Sequence, residues 1–129
     1  MTATASGAQV PDFPQVNPVQ TPEAHTTDDT LVLADMFKIH TNAGISANLP
    51  LTLPAASACP GCIFRVHALA AQTVTFEPAA STEKIYLHGS GVANTHLVLA
   101  GVIGNYVDLY SDGANWIVAR HSGVLTKES

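Results

Sequence analysis

Apolar residues in this chain recur in short runs with period-two alternation rather than at helical spacing, which predicts strands separated by turns. Residues 31–33 and 36–40 read as one strand broken near Asp35, with Asn42, Ala43 and Gly44 as the turn after it. A short strand over 49–53 is flanked by Pro50 and Pro54, and 55–58 is the one helix-friendly stretch, too brief for more than a helical turn. Residues 62–69 place Ile63, Arg65 and His67 on one face and Phe64, Val66 and Ala68 on the other, a strand pattern. Residues 72–77 follow with Val74 and Phe76 inward until Pro78; 84–88 and 95–100 are two more strands. Gly101 and Gly104 bracket the corner before a closing hairpin over 105–120, whose arms 106–110 and 115–119 flank Ser111, Asp112, Gly113 and Ala114. Asp-Gly suits the tight turn, because Gly accepts positive φ at little cost. Asn115 and Trp116 open the second arm, and Trp116 is placed to cover a face shared by Val107, Leu109 and Val118. The expected fold class is all-β, a β-sandwich (jelly-roll-like) of about eight strands with an extended N-terminal arm.

The arm is the segment that breaks this pattern. Residues 1–29 hold Pro11, Pro14, Pro18 and Pro22, no Lys or Arg, and isolated apolar residues Val10, Phe13, Val16 and Val19. Proline at such intervals removes donors and fixes φ, so neither a helix nor a central strand is expected and an extended, polyproline-like course is. A disordered tail is the alternative; against it stand Phe and Val at intervals, where a purely solvating tail would favour charge. The chain thus divides into an arm (1–29), a sandwich (30–125) and a polar C-terminal tail (126–129).

Composition narrows the possibilities. A length of 129 residues suits one domain with one core. Only 12% of residues are charged, against roughly 25% in ordinary proteins, so part of the surface is expected to be covered by partners. No apolar run reaches the roughly 18 residues a membrane helix needs, so no membrane partner is expected. Net charge is −5, with Lys38, Arg65, Lys84, Arg120 and Lys127 scattered singly, which provides no footprint for nucleic acid. The opening MTATASGAQV lacks the features of a secretory signal, so synthesis in a cytoplasm is expected.

Two groups of residues invite a chemical reading. Cys59 and Cys62 enclose Pro60 and Gly61; zinc binding or thiol exchange competes with a type II β-turn in which Pro60 presets φ and Gly61 takes the positive φ. A second CxxC to complete a zinc site is lacking, the turn is favoured, and in a cytosol the thiols should stay reduced. Six histidines, His25, His40, His67, His88, His96 and His121, fall in no catalytic or metal-ligating spacing. The favoured reading of each is a half-buried polar side chain in a subunit contact; copies of one histidine brought to the axis of a symmetric assembly, to bind a metal or anion, are the alternative. No enzyme activity, catalytic residue, cofactor or metal is expected.

The order of these elements, LPLTLPAASACPGCIFRVHALAAQTVTFEP followed by IYLHGSGVANTHLVLAGVIGNYVDLYSDGANWIVARHSG, resembles a small β module of tailed-bacteriophage virion proteins. Its carriers are Leu53 and Pro54, Pro60 and Gly61, Val107, Leu109, Ser111, Asp112, Gly113, Asn115 and Trp116, across about residues 30–123. Cys59, Cys62 and Tyr110 depart from the pattern. The resemblance implies a homotrimer in a head decoration (cement) protein or a tail fibre. A fibre subunit usually carries a long shaft or an adaptor domain, and the residues here make only an arm and one domain. Receptor-binding tips display aromatics in loops, whereas Trp116, Tyr86, Tyr106 and Tyr110 fall in strands. The decoration reading, with the major capsid protein as partner on the outer surface of the virion head, is therefore preferred to a receptor-binding tail module. Val10, Pro11, Phe13, Pro14, Val16, Pro18, Val19 and Pro22 are the expected capsid-binding residues.

Overall fold

The computed structural model describes residues 20–89, 91–93 and 95–128. They form eleven strands: β1 (Thr21–Ala24), β2 (Asp29–Thr30), β3 (Lys38–Thr41), β4 (Leu49–Thr52), β5 (Ile63–His67), β6 (Val74–Glu77), β7 (Ile85–Tyr86), β8 (His96–Leu99), β9 (Tyr106–Ser111), β10 (Trp116–Ser122) and β11 (Leu125–Glu128). A six-stranded sheet ordered β1-β3-β5-β9-β10-β7 faces a five-stranded sheet ordered β11-β8-β6-β4-β2. The all-β sandwich expected from the alternation is the observed fold.

Its connectivity carries more information than a strand count. From β1 to β8 each strand lies in the sheet opposite the one before it, so the chain coils around the core. Successive passes stack in parallel: β3 pairs with both β1 and β5, and β4 with both β2 and β6. Antiparallel pairing enters where β8 meets β6 and β11, and where β9 meets β5 and β10. A jelly roll is built from antiparallel strands, and the parallel half of this sandwich departs from that likeness. Alternation alone does not distinguish the two, because both arrangements bury every second residue.

The core lies between the sheets. Leu49, Leu51, Phe64, Val66, Val74, Phe76, Leu97, Leu99, Val107, Leu109 and Trp116 are all fully buried. Phe64 and Trp116 pack with ring centroids 5.5 Å apart, and the Trp116 indole Nε1 donates to the Pro54 carbonyl at 3.1 Å. Satisfying that donor lets the largest side chain of the protein be buried without a stranded N–H. The hairpin turn is held by Asp112, whose Oδ1 accepts the Ala114 and Asn115 amides at 2.9 and 2.8 Å. Gly113 has φ +94°, as the turn requires. Asn115 Oδ1 accepts the Lys84 amide at 3.0 Å, tying the turn to the approach to β7.

Three boundaries differ from the sequence reading. Strand pairing begins at Thr21, inside the segment read as arm, with Pro22 opposite Ile39 in β1. Proline is tolerated there because β1 is the last strand of its sheet, where a missing N–H breaks no ladder bond. Val10, Pro11, Phe13, Pro14, Val16, Pro18 and Val19 lie outside the described residues. Of the broken strand expected over 31–33 and 36–40, only the part from Lys38 is strand; residues 33–37 form a 3-10 turn, which Asp35 Oδ2 closes by accepting the Val32 amide at 2.9 Å. Finally, the polar tail is strand β11, with Leu125 opposite Leu99 and Glu128 opposite His96. Its signal was weak because an edge strand needs only one side of its alternation covered.

Candidate functional site

The margin of the sandwich formed by β1, β3 and the 3-10 turn Leu33–Phe37 differs from the rest of the molecule in closing the core with polar groups. Parallel pairing sets Glu23 opposite His40, and the ladder continues one residue further through the His25 amide to the Thr41 carbonyl at 2.8 Å. Residues 23 and 25 share a strand face, so Glu23, His25 and His40 converge. Their ligand atoms all lie within 4.8 Å of one another. His40 is fully buried and His25 nearly so, while the Glu23 side chain is 34% exposed.

Each group has a defined partner. His40 Nε2 lies 2.8 Å from the Asp35 carbonyl, an acceptor only, so this nitrogen carries the ring proton and Nδ1 is bare. His25 Nε2 lies 2.8 Å from that Nδ1 and donates to it. The other nitrogen of His25 faces Asp29 Oδ2 at 3.4 Å. Burial, partly opposed by the Asp35 carbonyl, holds the His40 pKa below that of a free imidazole. Lys38 lies 3.3 Å from Glu23 Oε1 and 3.5 Å from Asp35 Oδ1, and Glu23 above all keeps its ammonium pKa above the ordinary value. This margin also exposes apolar residues on the adjoining turn: Val32, Leu33 and, at 68% exposure, Phe37.

A second feature lies on the outer face of the six-stranded sheet. Ile39, Arg65, His67, Tyr106, Asp108 and Arg120 line an open cleft of about 240 Å³. The nearly buried Asp108 carboxylate accepts from Arg120 Nη2 at 2.9 Å and lies 3.7 Å from Arg65 Nε. The rings of His67 and Tyr106 are stacked. Arg65 also donates to Gln20 Oε1 at 3.3 Å, so the described chain begins beside this cleft.

The remaining sequence candidates occupy structural positions. Pro60 and Gly61 form a tight turn, with Gly61 at φ +82° and the Cys62 amide donating to the Cys59 carbonyl at 3.1 Å. Cys59 and Cys62 are both buried and unlinked. Burial, reinforced by the neighbouring Cys62 thiol, pushes Cys59 up to about 12, so its nucleophilic thiolate is not formed near neutrality. Trp116 is in the core, and Asp112, Gly113 and Asn115 shape its hairpin. His88 and His121 form a separate exposed pair, 3.4 Å apart.

The Glu23, His25 and His40 cluster has no counterpart among the sequence motifs. His25 and His40 meet across a parallel pairing, which leaves no fixed spacing to search for. The available signal was Glu23-x-His25 alternation, which counts only once residues 21–24 are read as a strand. No family model matches this chain, and a search of curated proteins finds no match to it.

Proposed function

We propose that this protein is a head decoration subunit of a tailed bacteriophage, a homotrimer that binds the outer capsid surface and bridges neighbouring major capsid subunits. The observation that carries this reading is the β1 margin. The Pro-rich N-terminal segment runs directly into an edge strand whose far side has no partner strand among the described residues, beside the exposed Val32, Leu33 and Phe37. An edge strand of this kind supports strand addition, and apolar anchors on a linked segment supply the side-chain contacts. Three such segments leaving one trimer act as a multivalent clamp, so each can be weak while the assembly holds. The low charge density and the resemblance of the closing hairpin to phage virion modules favour the same reading.

A receptor-binding module of the tail is the second reading, and the cleft with its stacked His67 and Tyr106 beside two guanidinium groups is what favours it, since such a surface suits a polar ligand. Antibody labelling of intact virions separates the two: gold over the head surface is the expected result, and gold confined to the tail would overturn the decoration role. Deleting residues 2–19, which leaves β1 whole, should give a chain that folds and trimerises but fails to occupy heads lacking the subunit. Full occupancy by that truncation would show that the sandwich alone binds.

A further inference from the structure

We propose that Glu23, His25 and His40 form a zinc site that fastens the first strand to the sandwich. The donor set is two imidazole nitrogens and one carboxylate oxygen, which suits zinc or a neighbouring divalent transition metal and is a poor match for magnesium or calcium. Zinc with ligands about 2.0–2.1 Å away in a tetrahedron holds them about 3.3–3.4 Å from one another. The separations here bracket that value: 2.8 Å between His25 Nε2 and His40 Nδ1, 3.7 Å from His40 Nδ1 to Glu23 Oε1, and 4.0 Å from His25 Nε2 to Glu23 Oε1. Opening the shortest by about 0.5 Å and closing the longest by about 0.6 Å equalises them, within the reach of rotamer adjustments. Three protein ligands leave the fourth position to a water or to a group supplied by a partner.

The surroundings are those that metal-bound histidines require. A ligating imidazole is oriented by donating its other N–H to a carbonyl or carboxylate. His40 would ligate through Nδ1 with Nε2–H on the Asp35 carbonyl, and His25 through Nε2 with Nδ1 facing the Asp29 carboxylate. An independent sign is Glu23 Oε1, a carboxylate oxygen shut off from solvent that accepts no hydrogen bond. Lys38 Nζ, 3.3 Å away, pairs with it electrostatically. In the metal-free protein the proton of His25 Nε2 lies where the ion would sit; binding displaces that proton to Nδ1 or to solvent, with no oxidation or reduction. Lys38 must also yield its place beside Oε1, and the part-exposed Glu23 side chain marks the way in.

Because β1 is held along only one side among the described residues, a bond from Glu23 and His25 to His40 would join β1 and its flanking loop to β3 by a link other than the strand ladder. Calorimetric titration of the chelator-stripped full-length protein with zinc chloride should give one equivalent per chain, a raised melting temperature and, with cobalt in place of zinc, the visible bands of a four-coordinate site. Asp29→Asn should weaken binding by about 10–100-fold, as loss of a carboxylate behind a ligating histidine does. Glu23→Gln and His25→Ala should remove the thermal shift while circular dichroism shows the fold intact. The double change His88→Ala with His121→Ala should leave binding untouched. Absence of heat and thermal shift in the unaltered protein at a large excess of zinc would overturn the site. So would binding that survives Glu23→Gln and His25→Ala, or that disappears in the His88/His121 variant.

Discussion

Two regions of the six-stranded sheet are closed in opposite ways. Around β9 and β10, Trp116 fills the core, packs at a tilt against Phe64 and has its one polar atom satisfied by Pro54, while Pro60 packs 3.7 Å from where a side chain on Gly113 would begin. At β1 and β3, imidazoles, carboxylates and an ammonium gather instead, with the ligand atoms of Glu23, His25 and His40 all within 4.8 Å of one another. The first region stabilises the protein by itself, through burial of apolar surface. The second gathers converging donor atoms, the kind of margin that gains when an ion arrives. On the proposed reading, folding and binding fall to different parts of one small sandwich.

The sharpest way to break this contrast is to attack the apolar region. Trp116→Ala should cost about 3–5 kcal/mol, read from chemical denaturation, because a fully buried aromatic leaves a cavity. A small loss of stability with a large loss of head binding would make Trp116 a contact residue and weaken the decoration reading.

Next in size is Asn42, just beyond β3, which is fully buried and accepts the Leu69 and Ala70 amides at 2.7 and 3.0 Å while donating to the Gln72 carbonyl at 2.9 Å. Asn42→Ala strands these groups, and the expected cost is about 2–4 kcal/mol by the same measurement. An equal or larger loss than in Trp116→Ala would show that polar closure carries as much stability as the apolar core.

The thiols provide a kinetic test of the apolar region. Cys59 and Cys62 should react with a thiol reagent only as fast as the core opens, so native protein should be modified far more slowly than denatured protein. Rapid modification of the native chain would mean that this corner is not closed.

The smallest effect concerns Asp112, whose carboxyl is held below its ordinary value of 3.8 by the Asn115 and Ala114 amides. A depressed folded-state pKa contributes stability that is present above the unfolded value and lost as pH falls through the folded one. The gap in melting temperature between the natural chain and Asp112→Ala should therefore hold from neutrality down to about pH 5 and shrink below about pH 4. A gap unchanged at low pH would remove the carboxylate from the turn's stability.

How much was legible in the sequence follows from the range of the interactions. The hairpin was readable because Asp112 and Gly113 act on neighbours within a few residues, and Pro60 and Gly61 were readable for the same reason. The parallel coil was not, because its pairings join residues as distant as Leu49 and Val74 while the alternation looks the same either way. β1 was obscured by Pro22, which disqualifies a central strand but not an edge. Once β1 was read as arm, Glu23 and His25 had no face, and their meeting with His40 had no trace in spacing. The 3-10 turn was hidden because Leu33, Met36 and Phe37 have the composition of a strand and only the Asp35 side chain decides otherwise.

Hydrogen exchange on the full-length chain, alone and bound to heads that lack the subunit, tests the division of labour most directly. Amides of β9 and β10 should be strongly protected in both samples, whereas those of β1 should exchange much faster in the free protein and become protected on the heads. Equal protection of β1 and the hairpin in the free protein, unchanged on binding, would contradict the account.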